Sequence, residues 1–346
     1  DYALQYFING GLVIRGSKNE TQEKDTLFTL FSKSRMGGSK ESSSEMSSRI
    51  RITTTTCEAD LRRSEGGGAT GDQGVARAPL GGTPAVAVHQ HIHGMSEVSI
   101  LIPVWRVRTS WLADAIGSAV LERDSSRLRG VPCEIVVSMD GCDQPDVKKW
   151  LYDAEASGSI DTLIECDSNT GVAAALMRGL HNCKHEYVAR FDADDVMLPG
   201  RLQEQVEYLD RNPAVSVVGG GLFYIDSEAA GLLPPVHLGR VEHPQVVNLF
   251  VASQSSWFIN HPTVMFRKSD VMSVGGYDPA MSGMAEDFDL WTRLLLAGKQ
   301  IHNLRHEPKH LLRLSDQSAS RTFKPETHAN IRRSQMKCAD ALSTYR

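Results

Sequence analysis

Three carboxylates fall within four residues in Phe191-Asp-Ala-Asp-Asp195. Like charges held this close repel one another, and a cation among them relieves the repulsion. Hard oxygen ligands of this kind suit Mg²⁺ or Mn²⁺. The same spacing also serves as a solvated acidic loop capping the next helix, since aspartate favours N-caps. A second acidic pair, Glu286-Asp287, opens a segment with Leu290, Leu294 and Leu295 on one side. Negative charge at a helix N-terminus is favourable for its own sake, so capping accounts for that pair as well. Asp140, in Met139-Asp140-Gly141, is a third isolated carboxylate.

Each of these groups needs a rigid element to aim it. Tyr187 to Phe191 is a short run of β-formers that ends at the aspartates. Pro199 stands where a helix can begin, with Leu202, Val206 and Leu209 at helical spacing behind it. Val98 to Val104 is a near-continuous aliphatic run, the pattern of a strand buried on both faces of a parallel sheet. Glu134 to Val137 repeats the pattern and ends at Met139-Asp140-Gly141. Helical segments separate the runs: one with Trp111, Ile116 and Val120, one from Asp146 to Ala156, and one opened by Asn169-Thr-Gly171. Further strands are expected over residues 162–164, 215–219, 261–267 and 310–314, and helices over 286–296 and from Glu326. This alternation predicts an α/β domain, a doubly wound, Rossmann-like mixed sheet with helices on both faces. Ligands of such sheets sit beyond the carboxyl ends of the strands. Pro103, Val104, Asp140 and the three aspartates all fall at such ends.

Composition narrows the function classes. The chain has 346 residues, 41% of them hydrophobic, enough for a substantial core. A formal net charge of −5 without a long basic tract argues against a nucleic-acid partner. Six dispersed cysteines with no C-x-x-C pair point to free thiols in a reducing compartment. No apolar run is long enough to span a bilayer, so the expected location is cytoplasmic or peripheral to the cytosolic face of a membrane. The chain begins at Asp1 rather than Met, consistent with a fragment. Residues 1–95 are rich in Ser, Thr and Gly and read as a low-complexity, disordered segment with a short helix near 22–34. Asn19-Glu-Thr21 is a glycosylation sequon, and His89, His91 and His93 alternate as metal ligands or a linker cluster would. The domain proper is expected over 96–320, with a loop or lid near 231–244, a flexible Ser282-Gly-Met, and a C-terminal helical tail over 321–346.

From Val98 to about Ser320 the order of motifs resembles family 2 glycosyltransferases of the GT-A fold. The resemblance is carried by Val98-Ser-Ile-Leu-Ile-Pro, Asp140-Gly141, Asn169-Thr-Gly171 with Gly179-Leu180, and Phe191-Asp-Ala-Asp-Asp with Leu198-Pro199 and Arg201-Leu202. It continues in His261-Pro-Thr-Val-Met-Phe-Arg267, Gly275-Gly-Tyr277 and Glu286-Asp-Phe-Asp-Leu-Trp291. It implies inverting transfer of a hexosyl or N-acetylhexosaminyl unit from a nucleotide diphosphate, with UDP expected, to a glycan, lipid-linked or protein acceptor. By the same resemblance Asp194 is a direct ligand of Mg²⁺ or Mn²⁺, and Asp192 contacts the ribose or supports the metal. Asp195 lies behind them. Asp140 hydrogen-bonds the nucleobase, Pro103 and Val104 line that pocket with Asn169 also on the nucleotide side, Asp287 is the general base, and Glu286 positions it or the acceptor.

Several positions depart from the family pattern. Trp105-Arg106 replaces a polar residue after the first strand, Met139 an aspartate, and Met177 an asparagine. Ser315 stands where many relatives carry a metal-binding histidine. His306, His310 or water are its possible substitutes, although surface positions are expected for both histidines. Two other readings compete. Asp192-Ala-Asp-Asp-Val196 fits the D-x-D-x-V motif of haloacid dehalogenase-type phosphatases, with Asp192 as nucleophile. That motif follows the first strand of its domain, whereas three strand–helix units precede it here. A GT-A scaffold that only binds a nucleotide sugar or a partner protein is the non-enzymatic alternative.

Overall fold

A computed structural model describes residues 2–7, 11–16, 28–31, 96–226, 246–281, 285–305, 307–314 and 325–344. Strands β1 (Tyr2–Phe7), β2 (Gly11–Gly16) and β3 (Phe28–Phe31) pair antiparallel in that order. Phe28–Phe31 is therefore strand where the spacing suggests helix. Its phenylalanines and threonine are β-formers, and a partner strand is present. The sequon, the alternating histidines, residues 231–244, Ser282-Gly-Met, His306 and Ser315 lie outside the described residues.

The aliphatic runs become strands of one eight-stranded sheet. In chain order the elements are β4 (Val98–Val104), α1 (Thr109–Leu128), β5 (Cys133–Asp140), α2 (Pro145–Ala156), β6 (Thr162–Cys166), α3 (Val172–Asn182) and β7 (Tyr187–Arg190). They are followed by β8 (Val196–Met197), α4 (Arg201–Arg211), β9 (Val215–Gly219), β10 (Phe223–Asp226), β11 (Val246–Val247), α5 (Leu249–Gln254) and β12 (Met265–Arg267). The chain then runs through α6 (Lys268–Ser273), α7 (Glu286–Leu296), β13 (Gln300–Asn303), β14 (His310–Leu314) and α8 (Pro325–Ser343). The large sheet has the order β11-β13-β9-β12-β7-β4-β5-β6, and β10-β14-β8 form a smaller one. β4, β5, β6 and β7 run parallel, whereas β12 lies antiparallel between β7 and β9. The run from His261 is strand only in its second half. Its first half is a 3₁₀ turn over His261–Thr263, because Pro262 has no N–H for a ladder inside a sheet.

Alternation along the strands divides the core by face. Ile100 and Ile102 of β4 and Ile135 and Val137 of β5 pack with Leu112 and Ile116 of α1, Leu151 of α2 and Leu202 of α4. Leu101, Val136 and Val188 point the other way, toward Leu176 of α3, Val271 of α6, and Phe288 and Trp291 of α7. Helices thus cover both faces, as the buried, non-alternating strands require. Cys338 of α8 is fully buried in the second cluster, so this helix packs into the core of the domain. Each fully buried aliphatic side chain contributes about 1.5–3 kcal/mol, and these two layers hold the carboxyl edge of the sheet still. Among the described residues no helix is long and apolar enough to cross a membrane.

Candidate active site

The parallel neighbours β5, β4 and β7 bring Asp140, Pro103-Val104 and the aspartates after Phe191 to one edge. The aspartates then separate by what they touch. Asp195 is 2% exposed and accepts hydrogen bonds from Nε2 of His310 (2.7 Å) and the backbone N–H of Arg313 (2.8 Å), so it anchors β14 to the loop after β7. His310 is fully buried, which corrects the expectation of a surface histidine. Its Nδ1 faces Arg201 Nη1 at 3.4 Å. Arginine only donates, so the consistent tautomer is a neutral imidazole donating from Nε2 to Asp195. Burial, then the charge of Arg201, depresses the His310 pKa, in keeping with neutrality. Both its nitrogens are therefore committed, and it is no metal ligand in this arrangement.

Asp192 pairs with Arg190 Nη1 at 2.5 Å. Asp194 differs from both neighbours. Its backbone carbonyl accepts from Arg313 Nε (2.8 Å), but among the described residues no other residue donates to its carboxylate. Burial, then repulsion from Asp195 and Asp192, raises the Asp194 pKa. Burial and repulsion from Asp192 raise that of Asp195. Three carboxylates with too few donors make a strong ligand for a hard cation, and Asp194 is the one with free oxygens. Among the described residues no three His, Cys, Asp or Glu side chains converge as a ready-made cage. The donor set therefore fits Mg²⁺ or Mn²⁺ bound by one or two carboxylates, with phosphate oxygens completing the shell.

Asp140 is 2% exposed and heavily engaged. Its carboxylate accepts from Thr170 Oγ1 (2.6 Å), the N–H of Thr170 (3.0 Å) and the N–H of Gly171 (2.8 Å), and it pairs with Arg178. Burial alone would raise its pKa. The hydrogen bonds from Thr170, Arg178 and Gly171 outweigh burial and hold it below the usual carboxylate range. Asp140 thus fastens β5 to the start of α3, where negative charge is favoured. The glycine after it is compulsory: Gly141 has φ +62°, and a Cβ there would stand 2.1 Å from the backbone nitrogen of Asn169. Asn169 itself is exposed and reaches the Asp140 carbonyl at 3.4 Å.

Glu286 and Asp287 open α7, and both are partly exposed. Burial raises both, and their mutual repulsion adds to the shift of Glu286. Asp287 also accepts the N–H of Phe288 (2.7 Å) and feels the charge of Arg190, and both effects favour its ionised form. The two carboxylates therefore resist ionising together and titrate as a pair. Ala285, just before them, adopts φ 70° and ψ 43°, the only positive φ of a non-glycine residue among those described. Sequence reasoning singled out the carboxylates but gave no role to Arg190 or Arg313, took Arg201 only as part of a motif and placed His310 at the surface, whereas these four organise them. A charged residue inside an apolar strand, as Arg190 is in Tyr-Val-Ala-Arg, was the available signal.

The chain is similar to known proteins. Residues 99–274 match the sequence profile of glycosyl transferase family 2. The amylovoran biosynthesis glycosyltransferase AmsE of Erwinia amylovora is 31% identical over 142 residues, covering 41% of this chain and 50% of that protein. The UDP-Gal:alpha-D-GlcNAc-diphosphoundecaprenol beta-1,3-galactosyltransferase of Escherichia coli is 28% identical over 141 residues, covering 40% and 48% respectively. The chain spans about half the length of the curated relatives it matches. In three dimensions it resembles S. aureus TarS 1–349 in complex with UDP-GlcNAc, with a TM-score of 0.50 at 14% identity over 69% of this chain and 66% of that one. That likeness establishes the GT-A fold alone. The profile match spans just over half of the sequence, and with the ordered carboxylates it places this chain in glycosyl transferase family 2.

Proposed function

We propose that the chain transfers a hexosyl or N-acetylhexosaminyl unit from a UDP-sugar to an acceptor hydroxyl, with inversion at the sugar carbon and Asp287 as general base. The observation that carries this reading is the division of labour among the carboxylates. The Asp194 carboxylate accepts no bond from another described residue, and Asp287, at the start of α7, is a separate carboxylate whose pKa burial raises. Asp194, with Asp192, would hold Mg²⁺ or Mn²⁺, and the cation supplies charge neutralisation at the departing diphosphate. Asp287 accepts the acceptor hydroxyl proton, and burial brings its basicity closer to the working pH. Glu286, its pKa pushed up to about 7 by burial and by Asp287, positions the base or the acceptor. Pro103, Val104 and Asn169 border the place of the nucleotide, and Asp140 supports it by fixing the start of α3. A phosphatase reading leaves Glu286 and Asp287 without a role.

The E. coli relative is named for a diphosphoundecaprenol substrate. We take a lipid-linked saccharide as the acceptor class, ahead of a free glycan or a protein. A site of action at the cytosolic face of a membrane follows from that choice. Incubation with UDP-GlcNAc, UDP-Gal and UDP-Glc, with Mn²⁺ or with EDTA, tests the reading through UDP release. Metal-dependent release from one sugar is expected. In Asp287→Asn, calorimetric binding of that nucleotide sugar should persist while transfer falls by at least about a hundredfold. Near wild-type turnover in Asp287→Asn would remove the base assignment.

A further inference from the structure

α5 and α8 lie side by side and share the second core cluster. Leu249 and Val251 of α5 pack into it, and Phe250 between them is 60% exposed. On α8, Ile331, Ser334 and Cys338 turn inward, whereas Arg332, Arg333, Met336 and Lys337 are exposed. Residues three and four apart stand together on a helix, so these four make one outward face. Two touching helices that bury their inner sides in one core present their outer sides together. Trp257, just past α5, is 57% exposed. Its Nε1 donates to Asn260 Oδ1 (2.9 Å), and Asn260 is itself buried, so the indole is anchored while its ring stays in solvent. The next residue, Phe258, packs on Phe288 of α7 with ring centroids 5.5 Å apart. α7 also packs against α8, so this surface borders the helix that opens with Glu286 and Asp287.

We propose that the outer face of α5 and α8, together with Trp257, docks this chain on an anionic lipid surface. Its purpose, to bring α7 to a lipid-linked acceptor, rests on the reading given above; its chemistry rests on the surface alone. Phe250, Trp257 and Met336 supply apolar groups of the kind that enter the headgroup boundary from peripheral helices. Arg332, Arg333 and Lys337 pair with no described acid, and the acids of α8, Glu326 and Asp340, lie outside that stretch. Three cations within six residues, in a chain of formal net charge −5, are a local feature rather than a property of the whole. They complement lipid phosphates, and their stems can lie along the apolar groups while the charges stay in the headgroups. A second copy of the chain fits worse, because an isologous contact would set these cations against their own counterparts. The attachment is peripheral, since no described helix is long and apolar enough to cross a membrane.

Co-sedimentation of the full chain with vesicles tests this, using phosphatidylcholine alone and phosphatidylcholine mixed with phosphatidylglycerol. Wild type should sediment with the anionic vesicles, and binding should fall as salt is raised. Each basic residue near an anionic surface strengthens attachment about fivefold, so Arg332→Gln, Arg333→Gln and Lys337→Gln combined should weaken it about a hundredfold. Phe250→Ser should weaken it at least about tenfold. Both variants alter exposed side chains, and unchanged melting temperatures confirm that they fold. Failure of wild type to sediment, equal binding to both vesicle types, or full retention of binding in both variants would overturn the proposal. So would self-association that Phe250→Ser abolishes in a chain that binds no vesicles, which would assign the face to a second copy. UDP release measured without vesicles should be the same in wild type and both variants, and a loss there would count against a surface separate from the site. Absence of UDP release by wild type with every nucleotide sugar would instead sink the glycosyltransferase reading, while the lipid surface stands or falls on sedimentation.

Discussion

Replacing Asp140 with asparagine measures how far this carboxylate holds the fold together. The native side chain accepts two backbone N–H groups, one hydroxyl and the Arg178 guanidinium. Asparagine has one oxygen and one NH₂ in their place. With its oxygen toward Thr170 Oγ1 and Arg178, the NH₂ confronts the N–H groups of Thr170 and Gly171. Flipped, it confronts the guanidinium. Either way at least two charge-assisted bonds are lost, each worth about 1.5–3 kcal/mol. The Asp140 side chain is 3% exposed but Arg178 is 27% exposed, so the lower half of that range applies, about 3 kcal/mol in sum. At about 2–4 °C per kcal/mol for a domain of this size, the melting temperature should fall by about 6–12 °C. Scanning calorimetry and urea titration at pH 7 read this directly. The pH dependence supplies a second check. A carboxyl held below its unfolded value contributes stability that is fully present above about pH 4 and lost as pH falls through the folded value. The gap between wild type and Asp140→Asn should therefore be constant from pH 7 to about 5 and close in stronger acid. A loss under about 1 kcal/mol, or a gap that widens in acid, would refute the assignment of Asp140 as the anchor of α3.

Further expectations follow from the same geometry. Asp194 has a folded pKa above its unfolded value, so the metal-free protein should lose stability as pH rises from about 4 toward about 8. Mn²⁺ should restore it in wild type and not in Asp194→Ala, and melting curves with Mn²⁺ or EDTA at pH 5 and 8 check this. Gly141→Ala places a Cβ 2.1 Å from the Asn169 nitrogen at a positive φ, so a loss above about 3 kcal/mol or failure to fold is expected in expression and urea assays. Ala285 sits in the left-handed region. There Ala285→Gly should stay within about 1 kcal/mol of wild type by urea unfolding, and Ala285→Val should cost about 1–3 kcal/mol.

Much of the domain was legible because its signals are local. The runs at Val98, Glu134 and Tyr187 are apolar on both faces, and only a sheet covered by helices on both sides buries them. The Asp-Gly pair at residue 140 marks a turn that no other residue can make. What escaped the reading depends on contacts between distant segments. β12 is short and begins with a proline-interrupted turn, so nothing in its own residues announces that it runs backwards between β7 and β9. His310 looked like a surface histidine because its partners, Asp195 and Arg201, lie more than a hundred residues away. The aspartates looked alike until their partners were known: the Asp192 carboxylate is held by Arg190, that of Asp195 by His310 and Arg313, and that of Asp194 by none of these, Arg313 reaching only its carbonyl.

The reversed strand β12 carries a consequence for how the chain acquires its structure. β7 borders β4 on one side and β12 on the other, and β9 with its other neighbour β13 reaches the aspartate-bearing half only through β12. During synthesis, the aspartate-bearing half of the sheet is complete except for that one neighbour, which emerges about seventy residues later. Until then β7 is an open, apolar edge, the kind of surface that templates pairing with other chains. A truncation before Met265 should therefore aggregate rather than yield an independent nucleotide-binding half. Closure of the sheet is a late, long-range event, which slows folding and exposes the nascent chain to self-association.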